Sequence, residues 1–338
     1  MMEIKTQLRK LWDLCFNETQ VFSDLYFEMR DIEQSSIYIK HNQHIVSAMQ
    51  LLPYSLTFHG TSFDTAYISG ACTHPDFRKQ GLMHNLIINA FKRLYRQHTP
   101  IVTLIPANRN LFDYYSKFGF VANFNYALQQ IESQEYNIDN IVECQYFEIE
   151  EAYSYFSSRL SERNYCIQHS FKDFKMIIKD MESGGIQPLI AMREGKIAGM
   201  AFPYHMDGKT IIKELLYDDE SVRCWLLSHL SLASLIIPGN KQQLGMMRVI
   251  ALFPILEKYA QIHPEINTEF HLKDVLVPEN SGDYAIGNGK VTQRSGKRHE
   301  EIDITTIAEA IFGDEAFIFP KPLQGFKPLS PYMSLMLD

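Results

Sequence analysis

Residues 68–96 constrain this chain more than any other stretch. Ile68-Ser69-Gly70-Ala71-Cys72-Thr73 reads as a strand, and His74-Pro75-Asp76-Phe77-Arg78-Lys79-Gln80-Gly81 as a short basic loop. Beyond the loop Leu82, Leu86, Ile87, Ala90, Phe91, Leu94 and Tyr95 recur at helical spacing, with Asn85, Asn89, Lys92, Arg93 and Arg96 between them. A strand that turns straight into a helix leaves the backbone N–H groups of Gln80 to Met83 unpaired at the helix N-terminus. The helix dipole adds about half a positive charge there. A pyrophosphate fits such a terminus. A side chain at Gly81 would hold its oxygens away from the amides. Taken alone, the same pattern also suits an ordinary capped helix with a solvated Arg-Lys pair.

A second segment narrows the choice. Ile101-Val102-Thr103-Leu104-Ile105 reads as a buried strand, and it is followed by Asn108-Arg109-Asn110-Leu111-Phe112-Asp113-Tyr114-Tyr115-Ser116-Lys117-Phe118-Gly119-Phe120. Together the two segments resemble the signature motifs of the GCN5-related N-acetyltransferases (GNAT). Arg78 to Met83 follows R-x-x-G-x-(small or apolar), and Asn108 to Phe120 follows N-x-x-x-x-x-x-Y-x-K-x-G-F, in the family's order.

The resemblance implies acetyl transfer from acetyl-coenzyme A to an amine. On it, Ala71, Cys72 and Thr73 contact the cofactor through backbone atoms. Arg78, Lys79, Gln80, Gly81, Leu82 and Met83 hold the pyrophosphate, and Asn108 is a further cofactor contact. Many relatives place Gly or Ala where Met83 stands. Tyr115 aligns with the tyrosine that protonates the departing thiolate, a task that suits a phenol with a reference pKa of about 10. Tyr114 lies about 100° away around the helix, which makes it the poorer donor. A core aromatic at a helix end is the other reading of Tyr115.

The 338 residues exceed one such domain and suit two or three. Hydrophobic residues make up 46% of the chain, enough for each unit to bury a core. The longest apolar runs, such as Leu230 to Pro238, fall short of a membrane span, and the N-terminal residues lead into charges rather than an apolar leader. A cytoplasmic protein without membrane contact is expected. Cys15, Cys72, Cys144, Cys166 and Cys224 are scattered singly, so neither a disulfide framework nor a metal site is expected, and small buried hydrophobes are their reading. A formal charge of −8 without a basic stripe argues against nucleic acid and is compatible with a cationic amine substrate.

The expected fold class is α/β, with three units: 1–135, 136–240 and 241–338. In the first, helices over 3–16 and 18–29 precede strands over 35–41, 44–58 and 63–73, the motif helix, the 101–105 strand, a helix over 109–117 and a strand over 120–130. From 136 the order repeats, with helices near 149–161 and 170–182, strands at 188–193, 197–205 and 210–217, and a helix over 220–235. The second counterpart of the phosphate loop, Leu216-Tyr217-Asp218-Asp219-Glu220-Ser221-Val222-Arg223-Cys224, has no glycine and three consecutive acids. That is electrostatically wrong for coenzyme A, so this half is expected to be silent. In the third unit Met247 to Ile250 reads as a strand and 251–262 as a helix. Residues 270–275 and 282–291 read as a hairpin with Gly-Asn-Gly turn chemistry, 302–304 as a strand, and Thr305 or Thr306 as the cap of a helix through Ile311.

An active half, a degenerate half and a sterol-carrier-like α/β domain opening on M-x-R-V and ending in a proline-rich tail resemble the enhanced intracellular survival (Eis) family. The resemblance implies a homo-oligomer, an aminoglycoside-like or polyamine-like acceptor, direct transfer in a ternary complex, and a C-terminal carboxylate in the first domain's active site. Here that carboxylate is Asp338, behind the apolar Leu335-Met336-Leu337; a tail merely packed on the surface is the other reading. His74 is expected to be a surface histidine. Asp24 and Glu28, at i and i+4 on the second helix, would attract an ammonium group, although a solvated helix face explains them equally. The alternative function is an apolar-ligand carrier using the C-terminal domain, with coenzyme A regulatory.

Overall fold

The structure, a computed structural model, describes residues 2–132, 140–206, 208–230, 232–296, 299–314 and 318–337. In its first part α1 (Ile4–Cys15), α2 (Gln20–Met29) and the single turn α3 (Ile32–Ser35) precede β1 (Ser36–His41), β2 (His44–Phe58) and β3 (Thr61–Thr73). Then follow α4 (Leu82–Arg96), β4 (Ile101–Leu104), α5 (Arg109–Ser116) and β5 (Val121–Gln130). The apolar run in residues 45–52 is a strand because both its faces are covered. Ala48 and Leu52 join the cluster under α1 and α2, while Met49 and Leu51 join the one under α4.

The second part comprises β6 (Ile141–Glu143), α6 (Ile149–Ser161), β7 (Ile167–Gln168), α7 (Phe171–Ser183), β8 (Leu189–Arg193), β9 (Lys196–Met206), β10 (Lys209–Tyr217), α8 (Glu220–His229) and β11 (Ser234–Pro238). The internal repeat is visible in the ladders. β1, β2, β3 and β4 pair antiparallel, antiparallel and parallel. β8, β9, β10 and β11 do the same. The helix expected over 220–235 ends at His229, because Leu232 takes a left-handed φ of 65° and the residues after it extend as β11.

The third part opens with β12 (Gln242–Val249) and continues with α9 (Leu252–Ile262), β13 (Thr268–Lys273), β14 (Gly282–Gly287), β15 (Lys290–Arg294), β16 (Glu301–Asp303) and α10 (Ile304–Phe312). β12 does not stay with its own unit. It pairs antiparallel with β4 and with β5, while β11 pairs with β5, so among the described residues one twelve-stranded sheet crosses all three parts. The remaining strands form a sheet ordered β15-β14-β13-β16. β13 and β14 pair antiparallel, as the expected hairpin does, and Asn288 and Gly289, with φ of 52° and 71°, turn the chain from β14 into β15. Asp303, rather than Thr305 or Thr306, caps α10 by accepting the Thr306 N–H at 2.7 Å.

The tail is built into the structure. The Ile167 N–H donates to the Tyr332 carbonyl at 2.9 Å, the Tyr332 N–H to the Tyr165 carbonyl at 2.8 Å, and Met333, Leu335, Met336 and Leu337 are buried. Glu214 of β10 is buried to 1% exposure and holds this segment. It accepts from the Ser334 hydroxyl at 2.6 Å, the Tyr332 hydroxyl at 3.1 Å and both terminal nitrogens of Arg163 at 2.8 and 2.9 Å. With the Leu215 N–H at 2.8 Å, five donors on one buried carboxylate are what make its desolvation tolerable. No helix among the described residues is long and apolar enough to cross a membrane.

Candidate active site

The site begins where two neighbouring strands part. β3 and β4 pair only at Thr65–Ile101, Ala66–Val102 and Tyr67–Thr103, after which β3 runs on through Ile68 to Thr73 with β2 as its partner. Ala71, Cys72 and Thr73 therefore present one backbone edge to an opening in the sheet, free of the usual strand partner. The register with β2 shifts between Ala48 and Gln50, which bulges β3 at Gly70. Gly70 has φ +58°, and a Cβ there would lie 2.2 Å from Gln50 Oε1 and 2.5 Å from Trp12 Cζ3. Both the conformation and the space demand glycine.

The opening leads to the basic loop. Lys79 and Gly81 take left-handed φ values of 62° and 78°, and Gly81 is the N-cap residue of α4. The first helical bond runs from Asn85 N–H to Gly81 O, at 3.0 Å, so the amides of Leu82, Met83 and His84 precede it and face outward. Arg78, Lys79, Gln80 and Gly81 are exposed, and the Arg78 Nε–H is tethered to the Thr73 carbonyl at 3.1 Å. A run of free amides, a 15-residue helix dipole and two cations make an anion-binding terminus. In the second part the corresponding position is filled by the chain itself. Asp219 caps α8 by accepting the Val222 N–H at 3.1 Å and pairs with Arg193 at 2.6 Å.

Tyr115 stands on the other wall. It is 7% exposed and shares a buried cluster with Ile68, Leu86 and, at its margin, Ala71 and Met83. Burial, with Tyr114 adding a smaller push, raises its phenol well above the usual tyrosine range. Tyr114 is only half-buried and is raised less far by the same desolvation. Asn108 begins α5 as its N-cap residue, exposed, without a side-chain cap bond.

The motif glycine next to Tyr115 has a cause that the sequence hides. Gly119 has φ +78°, and a Cβ there would meet Arg248 Nε at 2.9 Å. Arg248, fully buried on β12, donates from Nε to the Phe118 carbonyl at 2.9 Å and stacks over Phe91 of α4 at 5.5 Å. Its Nη2 bonds both carboxylate oxygens of Asp274, at 2.7 and 2.8 Å. The end of α5 is thus held by an ion pair contributed wholly from the third part.

On the opposite face of β3, the Tyr26 hydroxyl donates to Ser69 Oγ at 2.8 Å and its ring stacks on Trp12 at 4.7 Å. Trp12 Nε1 and Gln50 Oε1 are buried beside the Gly70 bulge without a hydrogen-bond partner among the described residues. Sequence reasoning missed these groups; an indole and an amide in apolar runs carry no motif. Asp24 and Glu28 are exposed, on the side of α2 turned away from Tyr26. Asp24 is bonded to Arg9 at 2.7 Å and to Gln20 at 2.8 Å, so it is already partnered on a solvated face. His74 is partly exposed and caps the short turn after β3. Asp338 lies outside the described residues; Met333 of the tail reaches Gly245 of β12, beside the Leu104 carbonyl at the end of β4. Among the described residues no group of three or more His, Cys, Asp or Glu is placed to hold a metal ion.

Residues 3–122 match the family model of the acetyltransferase (GNAT) domain, a span that contains the opened strand, the basic loop and Tyr115. That domain is one of acyltransferase enzymes. Among solved structures the chain is similar to a conserved protein from Enterococcus faecalis V583 described as a probable N-acyltransferase, with TM-score 0.76 and 16% identity over 98% of this chain and 96% of that one. It is also similar to a GCN5-related N-acetyltransferase from Anabaena variabilis ATCC 29413, with TM-score 0.75 and 16% identity over 97% and 96%. Eis1 from Mycobacterium abscessus aligns with TM-score 0.68 and 10% identity over 90% and 85%. At these identities the likeness is one of fold, and it extends over the whole chain. No curated protein matches the sequence.

Proposed function

We propose that this protein transfers acetyl from acetyl-coenzyme A to a primary amine on a small molecule, by direct attack in a ternary complex. The observation that carries the reading is the parting of β3 from β4 in line with the free amides of α4. A pantetheine arm can add to the Ala71–Thr73 edge as a strand would, while the pyrophosphate takes the amides of Leu82 and Met83 with Arg78 and Lys79 supplying charge. Asn108, the N-cap residue of α5, is a further proposed cofactor contact.

Tyr115 is the proposed donor to the departing thiolate. Its raised phenol stays protonated through neutral pH, whereas a thiol's reference value is about 8.5, so its contribution is a hydrogen bond to developing charge more than complete proton loss. The acceptor amine must be neutral to attack, and the tail beside Leu104 and Gly245 is the proposed route for its proton, with Asp338 as the carboxylate. Asp24 and Glu28 remain proposals for attracting the cationic acceptor at longer range. The Eis-like branch, a cytoplasmic homo-oligomer and an aminoglycoside-like or polyamine-like acceptor belong to the same reading. So does a second part that binds no cofactor, since Asp219 already occupies the amides of α8. The carrier alternative is not favoured, because the acetyltransferase match falls on the part of the chain that holds the anion-binding loop.

An acceptor screen following thiol release from acetyl-coenzyme A tests this. Release that depends on an amine and yields equal amounts of N-acetyl product is expected. Tight acetyl-coenzyme A binding with no amine-dependent release from polyamines, aminoglycosides or simple alkylamines would overturn the enzymatic reading.

The loop has its own test. A Cβ at Gly81 meets nothing within 4 Å, so Gly81→Ala is limited to the cost of a left-handed non-glycine residue, about 1–2 kcal/mol. Gly81→Asp adds a negative charge at the pyrophosphate site. Calorimetry should show acetyl-coenzyme A binding at least about tenfold weaker in Gly81→Asp than in Gly81→Ala, a difference of about 1.4 kcal/mol. Equal affinities would detach the phosphate from this terminus.

A further inference from the structure

Two thiols meet beside the cofactor strand. α1 ends at Cys15, whose Sγ–H donates to the Thr73 carbonyl at 3.5 Å, and Cys15 packs against the same buried cluster that holds the neighbouring Cys72. The Thr73 carbonyl that receives Cys15 also receives Arg78 Nε, at 3.1 Å. One carbonyl at the end of β3, next to Cys72, thus holds the Cys15 sulfur and the first cation of the phosphate loop. Cys15 is partly exposed and Cys72 is 9% exposed, the arrangement of an attacking thiol over a protected partner.

We propose that Cys15 and Cys72 are a hydroperoxide-responsive dithiol whose oxidation to a disulfide weakens acetyl-coenzyme A binding. The Cys15 thiolate attacks the peroxide oxygen, the O–O bond breaks, and sulfenic acid and water (or an alcohol) result. Cys72 sulfur then attacks the sulfenic sulfur, an S–S bond forms, and a second water leaves with the Cys72 proton. The peroxide is reduced by two electrons and the two thiols are oxidised by the same two.

The environment sorts the two sulfurs into these roles. The Cys72 hydrogen bond, helped by the Arg78 guanidinium against the opposing effect of burial, holds the Cys15 thiol below the ordinary cysteine range. Cys72 is pushed up, by the Cys15 thiol first and by burial second. A thiolate-prone, half-exposed sulfur beside a protonated buried one is oxidised first and resolved second. The bond would tie Cys72 and Thr73 to the end of α1 and take away the hydrogen bond that Cys15 now gives the Thr73 carbonyl. The strand edge offered to the pantetheine and the anchor of Arg78 would both shift.

The effect on the cofactor rests on the acetyl-coenzyme A reading; formation of the bond does not. The full chain is reduced, treated with hydrogen peroxide, and mapped by non-reducing digestion and mass spectrometry, with acetyl-coenzyme A affinity measured by calorimetry before and after. A Cys15–Cys72 linked peptide is expected, with affinity lower by about tenfold or more and restored by dithiothreitol. Cys15→Ser should bind acetyl-coenzyme A normally and keep that affinity after peroxide. Absence of the linked peptide overturns the proposal, as does a linked protein with unchanged affinity or an equal loss in Cys15→Ser. A reduced protein that binds no acetyl-coenzyme A defeats the functional reading instead, and the peptide map still decides the disulfide.

Discussion

Tyr115→Phe should lower turnover by roughly 10²–10⁴-fold while leaving acetyl-coenzyme A affinity and folding stability nearly unchanged. The substitution removes one oxygen from a side chain that is 7% exposed and packed against Tyr114 and Phe120, at centroid distances of 5.3 and 5.7 Å. Its hydroxyl has no hydrogen-bond partner among the described residues, so no donor or acceptor of the protein is orphaned by its loss. What disappears is the phenol proposed as donor to the departing thiolate. The pH profile carries a second check. Because burial raises this phenol, it remains a donor from neutral pH to beyond its reference value of about 10, and the wild type should show no alkaline loss of turnover attributable to Tyr115 below that. Steady-state kinetics with saturating amine, together with calorimetry, separates the outcomes. Undiminished turnover reduces Tyr115 to packing, and a parallel fall in cofactor affinity makes it a positioning group.

The elements that make the site were legible wherever a local pattern and a local cause coincide. The strand, basic loop and helix of residues 68–96 follow from periodicity and from a glycine whose φ of 78° is required by the turn itself. The repeat was readable as element order, and its ladders reproduce the same pairing senses. What periodicity cannot supply is the partner of a strand. Met247 to Val249 announces β structure, but that it lies between β4 and β5, far from its sequence neighbours, is decided by which sheet edge can bury it. Residues 234–238 extend as β11 after a left-handed Leu232, something an apolar run does not display. Asp24 and Glu28 show a different limit. Their i, i+4 spacing is real, but spacing alone does not say whether a helix face looks at a cleft or at solvent; in the structure Arg9 from the neighbouring helix pairs with Asp24. Cys15 and Cys72, 57 positions apart, carried no spacing signal at all; the fold brings them together through the end of α1.

Asp274→Ala should be the most destabilising single change in this region, by about 3–5 kcal/mol in denaturant unfolding. Arg248 and Asp274 have side chains 1% and 2% exposed, and the carboxylate also accepts from Asn280 Nδ2 at 2.9 Å and from the amides of Leu276 and Val277 at 3.2 and 3.1 Å. Removing it leaves a buried guanidinium uncompensated and three further donors unpaired. Replacing the pair together, Arg248→Met with Asp274→Leu, should recover much of that loss, since a buried ion pair exchanged for apolar groups of similar volume is often neutral. Recovery of stability need not restore catalysis, and that difference is the informative part. Arg248 Nε also holds the Phe118 carbonyl, one turn past Tyr115, and its side chain occupies the space that Gly119 leaves open. In the double variant the end of α5 loses that donor and gains a flexible thioether. The double variant should therefore regain stability with turnover still depressed and acetyl-coenzyme A affinity intact, because the phosphate loop touches neither residue. If turnover returns with stability, the ion pair only supports the fold, and Tyr115 is positioned by the packing of Phe91, Phe118 and Phe120 alone.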